Sequence, residues 1–184
     1  IIGMPNAGKS TLISAISSAR PKIADYPFTT LTPSLGMVQP GFGEPFAVAD
    51  IPGLIEGAHE GSGLGIQFLK HVERTGILLH LIDASRIDPQ SPLESLNLIN
   101  RELALYSPLL VKKKQLVVLN KMDLTGTEHR ASVFKEAYAD IHGSSPDISS
   151  LPKACDILTI SAATGTGTRE LVKELARRIG SVKE

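Results

Sequence analysis

Eight consecutive residues near the start of the chain, Gly3, Met4, Pro5, Asn6, Ala7, Gly8, Lys9 and Ser10, set two glycines, a lysine and a hydroxyl in the order GxxxxGK[ST]. The glycines allow successive backbone N–H groups to curl around an anion, and a helix starting at the lysine adds partial positive charge from its N-terminus. Lys9 supplies a full charge for the β and γ phosphates of a nucleotide, and Ser10 offers a hydroxyl to Mg2+. Such a loop serves ATPases, small kinases and GTPases alike, so the residues that meet the base must decide among them.

Asn120, Lys121, Met122 and Asp123 follow an apolar run, Leu116 to Leu119, and form NKxD at a strand end. A carboxylate at Asp123 can accept hydrogen bonds from both the ring N–H and the exocyclic amine of guanine. Adenine presents a lone pair there and would leave the carboxylate unpaired. Sites built on such bonds discriminate by about four to five powers of ten, so guanine is the expected base. An ATP-dependent small-molecule kinase is disfavoured for the same reason. Lys121 would lay its aliphatic stem along the base, and Asn120 would tie this loop to the phosphate loop. Ser161, Ala162 and Ala163 end a later strand, where a backbone N–H can meet the guanine O6.

Two further segments could sense the γ phosphate. Asp50, Ile51, Pro52 and Gly53 form DxPG, whose carboxylate can hold Mg2+ through water and whose glycine N–H can reach the phosphate. Phe28, Thr29, Thr30, Leu31 and Thr32 lie in a proline-bounded loop, where a threonine hydroxyl can complete the magnesium shell only while GTP is bound. Thr30 is the preferred ligand, with Thr29 as the alternative.

The strings GMPNAGKST, which carries the phosphate loop on to Thr11, DYPFTTLTPSLG, DIPGLIEGAHEGSGLG, NKMDL and SAATGTG together resemble the Obg family of translation-factor-class GTPases, over essentially the whole chain. The resemblance implies a P-loop NTPase fold of the Ras-like G domain type, hydrolysing GTP to GDP and phosphate with Mg2+ on Ser10, Thr30 and, through water, Asp50. It implies association with the large ribosomal subunit and its rRNA during assembly or stress, and N-terminal and C-terminal family domains that this chain does not contain. Leu54 follows Gly53 where Ras-type enzymes place the glutamine that orients the attacking water. Turnover is therefore expected to be slow, resting on Lys9, Thr30, Gly53 and Asn6 and stimulated by K+ or the ribosome. In similar GTPases an asparagine at the position of Asn6 helps to hold a potassium ion.

The elements that must position these residues alternate. Phe46 to Asp50, Ile77 to Asp83, Gln115 to Asn120 and Asp156 to Ser161 read as buried parallel strands, each ending in a polar residue or loop. Helical spacing runs over Lys9 to Ala19, through Leu12, Ile13 and Ile16, and over Leu93 to Tyr106, through Leu96, Ile99 and Leu103. A last helix is expected with Thr168 as its cap, carrying Leu171, Val172, Leu175 and Ile179, and ending before Gly180. The fold class is α/β, a doubly wound, mostly parallel six-stranded sheet flanked by helices, with ligands beyond the carboxyl ends of the strands. Ile1 and Ile2 read as the end of a truncated first strand. Arg20 to Ser34 and Pro52 to Gly65 read as loops, and Gly143 to Pro152 as an exposed insertion.

With 184 residues, 42% hydrophobic and 21% charged, the chain suits one G domain over residues 1–184, able to bury a core without disulfide or structural metal. Nineteen basic residues balance nineteen acidic ones, so any contact with RNA must be local. Cys155, the single cysteine, excludes an internal disulfide and reads as a small packed side chain. No apolar run reaches the roughly 18 residues of a membrane span. A cytoplasmic monomer is expected. Glu56, His59 and Glu60 read as solvated loop residues rather than water-positioning groups, and Lys112 to Lys114 as a solvated basic run. His71, His80, His129 and His142 show no ligand spacing.

Overall fold

The computed structural model describes residues 1–18, 22–23, 34–50, 75–106, 108–144 and 157–180. In chain order these form α1 (Lys9–Ile16), β1 (Lys22–Ile23), β2 (Ser34–Val38), β3 (Phe46–Ala49), β4 (Leu78–Asp83), a 3₁₀ turn (Ala84–Arg86), α2 (Glu94–Tyr106) and α3 (Pro108–Val111). They continue with β5 (Gln115–Asn120), α4 (Thr127–Ser144), β6 (Leu158–Thr159) and α5 (Thr168–Gly180).

Every residue of β4 and β5 is buried, as a parallel strand covered on both faces requires. They pair in parallel from Leu78 opposite Gln115 to Asp83 opposite Asn120, and β6 joins the far edge of β5. On the near side of β4, the Ile2 amide donates to the Leu79 carbonyl at 2.8 Å, and the Leu81 amide donates to Ile2 at 2.9 Å. The Ile1 nitrogen reaches the Ala49 carbonyl of β3. Residues 1 and 2 thus join a parallel sheet, β4-β5-β6, to a second sheet ordered β1-β2-β3.

The α/β class with a parallel sheet stands as expected. Phe46–Ala49, however, is not a parallel strand: it pairs antiparallel with β2, from Leu35 opposite Ala49 to Val38 opposite Phe46. The link from Val38 to Phe46 is too short for a parallel crossover, which takes a dozen or more residues. It turns through Gly41 and Gly43 at φ 79° and 74°. Strand β2 itself was not foreseen.

Side chains alternate across β4 and β5. Leu79, Leu81, Leu116 and Val118 pack with Leu12, Ile13 and Ile16 of α1 and with Leu171 and Leu175 of α5. Ile82, Val117 and Leu119 pack on the other face with Leu96 of α2 and with Phe134 and Tyr138 of α4. Each fully buried aliphatic or aromatic side chain contributes about 1.5–3 kcal/mol. Helix α4 was not assigned from sequence, although its buried positions Ala131, Phe134 and Tyr138 follow helical spacing, and Gly143 and Ser144 close it rather than opening an insertion.

Two helix boundaries also differ from expectation. α1 stops at Ile16 because Ser18 turns away to β2, its amide and hydroxyl both donating to the Met37 carbonyl at 2.8 and 2.9 Å. Thr168 is the first helical residue of α5 rather than its cap: its hydroxyl donates back to Gly165 at 2.7 Å, and the Leu171 amide bonds Gly167. Gly180 lies inside that helix. No helix among the described residues is long and apolar enough to cross a membrane.

Candidate functional site

The loop from Gly3 to Gly8 connects the bridge at Ile2 to α1, and its shape follows from close approaches on both sides. A Cβ on Gly3 would run into the Leu81 carbonyl, and one on Gly8, at φ 96°, into the Asn120 side-chain amide. Asn6 also takes a left-handed backbone, φ 62°, and the Ala7 amide closes the turn by donating to Met4 at 3.2 Å. Gly8 precedes α1 and offers no side chain to cap it, so the first-turn amides of that helix are available to an anion. Lys9 folds over the loop, its Nζ donating to the Gly3 and Met4 carbonyls at 3.1 and 3.2 Å. Pro5 and Thr11 are exposed beside it.

Ser10, one residue into α1, donates its hydroxyl to Asp50 Oδ2 at 3.2 Å. Asp50 stands just past β3 with 9% of its surface exposed, and its Oδ1 is buried with no hydrogen-bond partner among the described residues. A hydroxyl beside a buried, half-satisfied carboxylate is a hard oxygen donor set that suits Mg2+. Among the described residues no group of three His, Cys, Asp or Glu could hold a metal. Thr30, Thr29, Phe28, Leu31, Thr32, Ile51, Pro52, Gly53, Leu54, Glu56, His59 and Glu60 lie outside the described residues.

At the end of β5 one side chain joins three loops. Asn120 Nδ2 donates to the Ala7 carbonyl at 2.8 Å, and its Oδ1 accepts the Ala162 amide at 2.9 Å. Next to it, Lys121 adopts φ 67°, and the Met122 amide bonds the Ile160 carbonyl at 3.1 Å. Asp123 is exposed at the rim. Its Oδ1 accepts the Ser161 hydroxyl at 2.6 Å, and that hydroxyl in turn accepts the Thr164 amide at 3.1 Å. Ala162 is buried and Ala163 exposed in the turn that follows. The phosphate loop, the base loop and the segment after β6 thus meet at the carboxyl ends of the parallel strands.

Two participants were not singled out from sequence. The Ser161 hydroxyl orients Asp123, where only a backbone amide was expected at this position. Asp83 receives Lys121 Nζ at 2.6 Å. Burial of Asp83 opposes its charge, but hydrogen bonds from Lys121 and Ser85 outweigh this and hold its carboxyl below the usual range. The available signal was that Asp83 closes an apolar strand as Asp50 and Asn120 do. His80, in the middle of β4, is buried against Gln115 and pushed down to about 4 by that burial.

A family model described as 50S ribosome-binding GTPase matches residues 1–121. GTPase Obg of Desulforapulum autotrophicum is 66% identical over all of this chain and 49% of its own length. GTPase Obg of Desulfosudis oleivorans is 59% identical over 95% of this chain and 48% of its own. The chain thus spans about half the length of the curated relatives it matches. Among solved structures, the G domain of the T. maritima FeoB iron transporter superposes with a TM-score of 0.60 at 18% identity, covering 99% of this chain and 95% of that one. At that identity it speaks for the fold alone.

Proposed function

Because the chain belongs to the 50S ribosome-binding GTPase family, with its likeness to GTPase Obg proteins running over its whole length, we propose that it binds GTP and GDP and hydrolyses GTP to GDP and phosphate with Mg2+. In this reading it acts in the cytoplasm, as a monomer, as a nucleotide switch at the large ribosomal subunit and its rRNA, in assembly or stress. The observation that carries the nucleotide reading is the pair of hydrogen bonds by which the Asn120 side chain donates to Ala7 and accepts from Ala162, holding the phosphate and base loops in one unit.

The amides of Gly3 to Gly8 and the start of α1 grip the phosphates, and Lys9 swings its ammonium from loop carbonyls to the β and γ oxygens. Ser10 and, through water, Asp50 would hold Mg2+, and Thr30 would complete the set in the GTP state. When bound, Mg2+ neutralises charge that builds on the phosphate oxygens as the γ group departs. Asp123, oriented by Ser161, accepts from the guanine edge while Lys121 lies along its face. Loss of the γ phosphate releases the segments that hold Thr30 and Gly53. Hydrolysis is slow alone, because Leu54 cannot orient water; Asn6 would help to hold a K+, which would supply positive charge. Equal turnover in sodium and potassium, unchanged in Asn6→Ala, would reject the potassium component.

Calorimetry tests the base assignment. Asp123→Asn replaces one of the two acceptor oxygens that meet the guanine N–H groups by an amide donor, which suits the second carbonyl of xanthine. GTP affinity is expected to fall about a thousandfold or more, with xanthosine triphosphate taking its place. A variant that keeps its preference for GTP over ATP and gains nothing for xanthine contradicts the assignment.

A further inference from the structure

The end of β4 holds an aspartate whose hydrogen bonds run to Ser85 and Lys121. Asp83 is 6% exposed and stands opposite Asn120 in the β4–β5 register, so it lies beside the first residue of the base loop. Its two oxygens are divided. Oδ1 accepts the Ser85 amide at 3.0 Å and the Ser85 hydroxyl at 2.6 Å, and Oδ2 accepts Lys121 Nζ at 2.6 Å. Arg86 also faces it, but at 3.8 Å and with 70% of its side chain exposed, against 30% for Lys121. Distance and screening both favour the lysine.

We propose that Asp83 is a positioning residue for purine binding: anchored through Oδ1 by Ser85, it holds the Lys121 ammonium through Oδ2 and so fixes the lysine stem as one wall of the base slot. The proposal rests on the guanine-nucleotide reading of this site. Lys121 has a left-handed backbone at φ 67°, which a side chain with a Cβ adopts at a cost, and four rotatable bonds to its charge. Free in solvent, that stem would have many orientations, and holding it along a base would cost rotamer entropy at each binding event. The bridge to Asp83 settles the orientation before the nucleotide arrives. It also occupies the ammonium on the β4 side, leaving Lys9 as the cation for the phosphates.

The test is the dissociation of fluorescent GDP and inosine diphosphate from the 184-residue chain and its Asp83→Asn variant. Both nucleotides should leave about tenfold faster from the variant, the size expected for one partly exposed charge-assisted bond. Association should be unchanged, because the phosphate loop is untouched. Lys121→Met should leave at least as fast, and the double variant no faster than Lys121→Met alone, because both changes remove one interaction. Ser85→Ala, which keeps the carboxylate but loosens its anchor, should fall between wild type and Asp83→Asn. It serves as the independent probe if Asp83→Asn folds poorly. Unchanged dissociation in Ser85→Ala and Asp83→Asn, or effects that add in the double variant, overturn the positioning role while leaving guanine recognition intact. A wild-type chain that binds no guanine nucleotide overturns both.

Discussion

Asn120 is where the site is most sensitive to a single atom. Its amide and its carbonyl each satisfy a backbone group of another loop, and the side chain is almost wholly buried. Asn120→Ala would leave the Ala7 carbonyl and the Ala162 amide without partners, at about 1–3 kcal/mol each. Urea unfolding of the nucleotide-free chain should show a loss of about 3 kcal/mol, with GDP affinity reduced at least tenfold because the two loops no longer share an anchor. A stable variant with unchanged affinity would show that the loops hold their positions without it. Asp50 is the complementary case: among the described residues its buried Oδ1 has no partner, and the proposed cation would satisfy it.

Where α1 meets β2, packing is limited by one glycine. A Cβ on Gly36 would overlap the Ser17 hydroxyl and come within 2.9 Å of Ile13 Cγ2. Gly36→Ala should therefore cost about 1–3 kcal/mol through overpacking. Ser17 Oγ is buried with no hydrogen-bond partner among the described residues, so Ser17→Ala alone should be neutral or slightly stabilising. Combined with Gly36→Ala, it should recover about half of the loss, since the Ser17 Cβ still lies 3.2 Å away. Thermal melting of the three variants decides the matter: simple additivity would place the strain elsewhere. The pairing counts for function because β2 supports β3, and β3 delivers Asp50.

Taken together, the two cores and the parallel strands between them make stability depend on pH through buried His80. In the folded chain its pKa falls from 6.5 to about 4 through burial, against a weaker opposing contribution from Gln115. Between those values the unfolded chain binds a proton that the folded chain refuses, so stability rises with pH across that window and is complete above 6.5. From pH 7 to pH 5 the loss is about 2 kcal/mol. Glu174, held down to about 2 by its hydrogen bond from Arg177, with Arg178 adding to it against burial, acts with the same sign in a lower range. Its contribution is present above 4.5 and disappears toward 2, below the histidine window. Urea midpoints at pH 5 and 7.5 should differ for the wild type and differ less in His80→Asn, where the buried Ile1 amino group, lowered to about 5, still titrates; an equal difference in both would remove His80 as a cause.

Much of the site was legible in the residues because its chemistry depends on local order: a loop of glycines ending in Lys9 and Ser10, a carboxylate two residues after Lys121, a serine at Ser161. Buried runs such as Leu116 to Leu119 marked the parallel strands, since period and composition are local properties. The antiparallel direction of Phe46–Ala49 escaped because strand direction depends on the partner; β1 lay inside the stretch Arg20 to Ser34 read as a loop, and β2, beyond Ser34, had been given no element. Helix α4 escaped because its polar faces obscured three buried positions. The tie of Asn120 to the phosphate loop was expected, but which atoms pair across the sheet needed three dimensions. Asp83 and Lys121 are 38 positions apart, Ala7 and Asn120 113 apart. No periodicity carries such distances; they arise only when parallel register sets strand ends side by side and burial makes every unpaired polar group there costly.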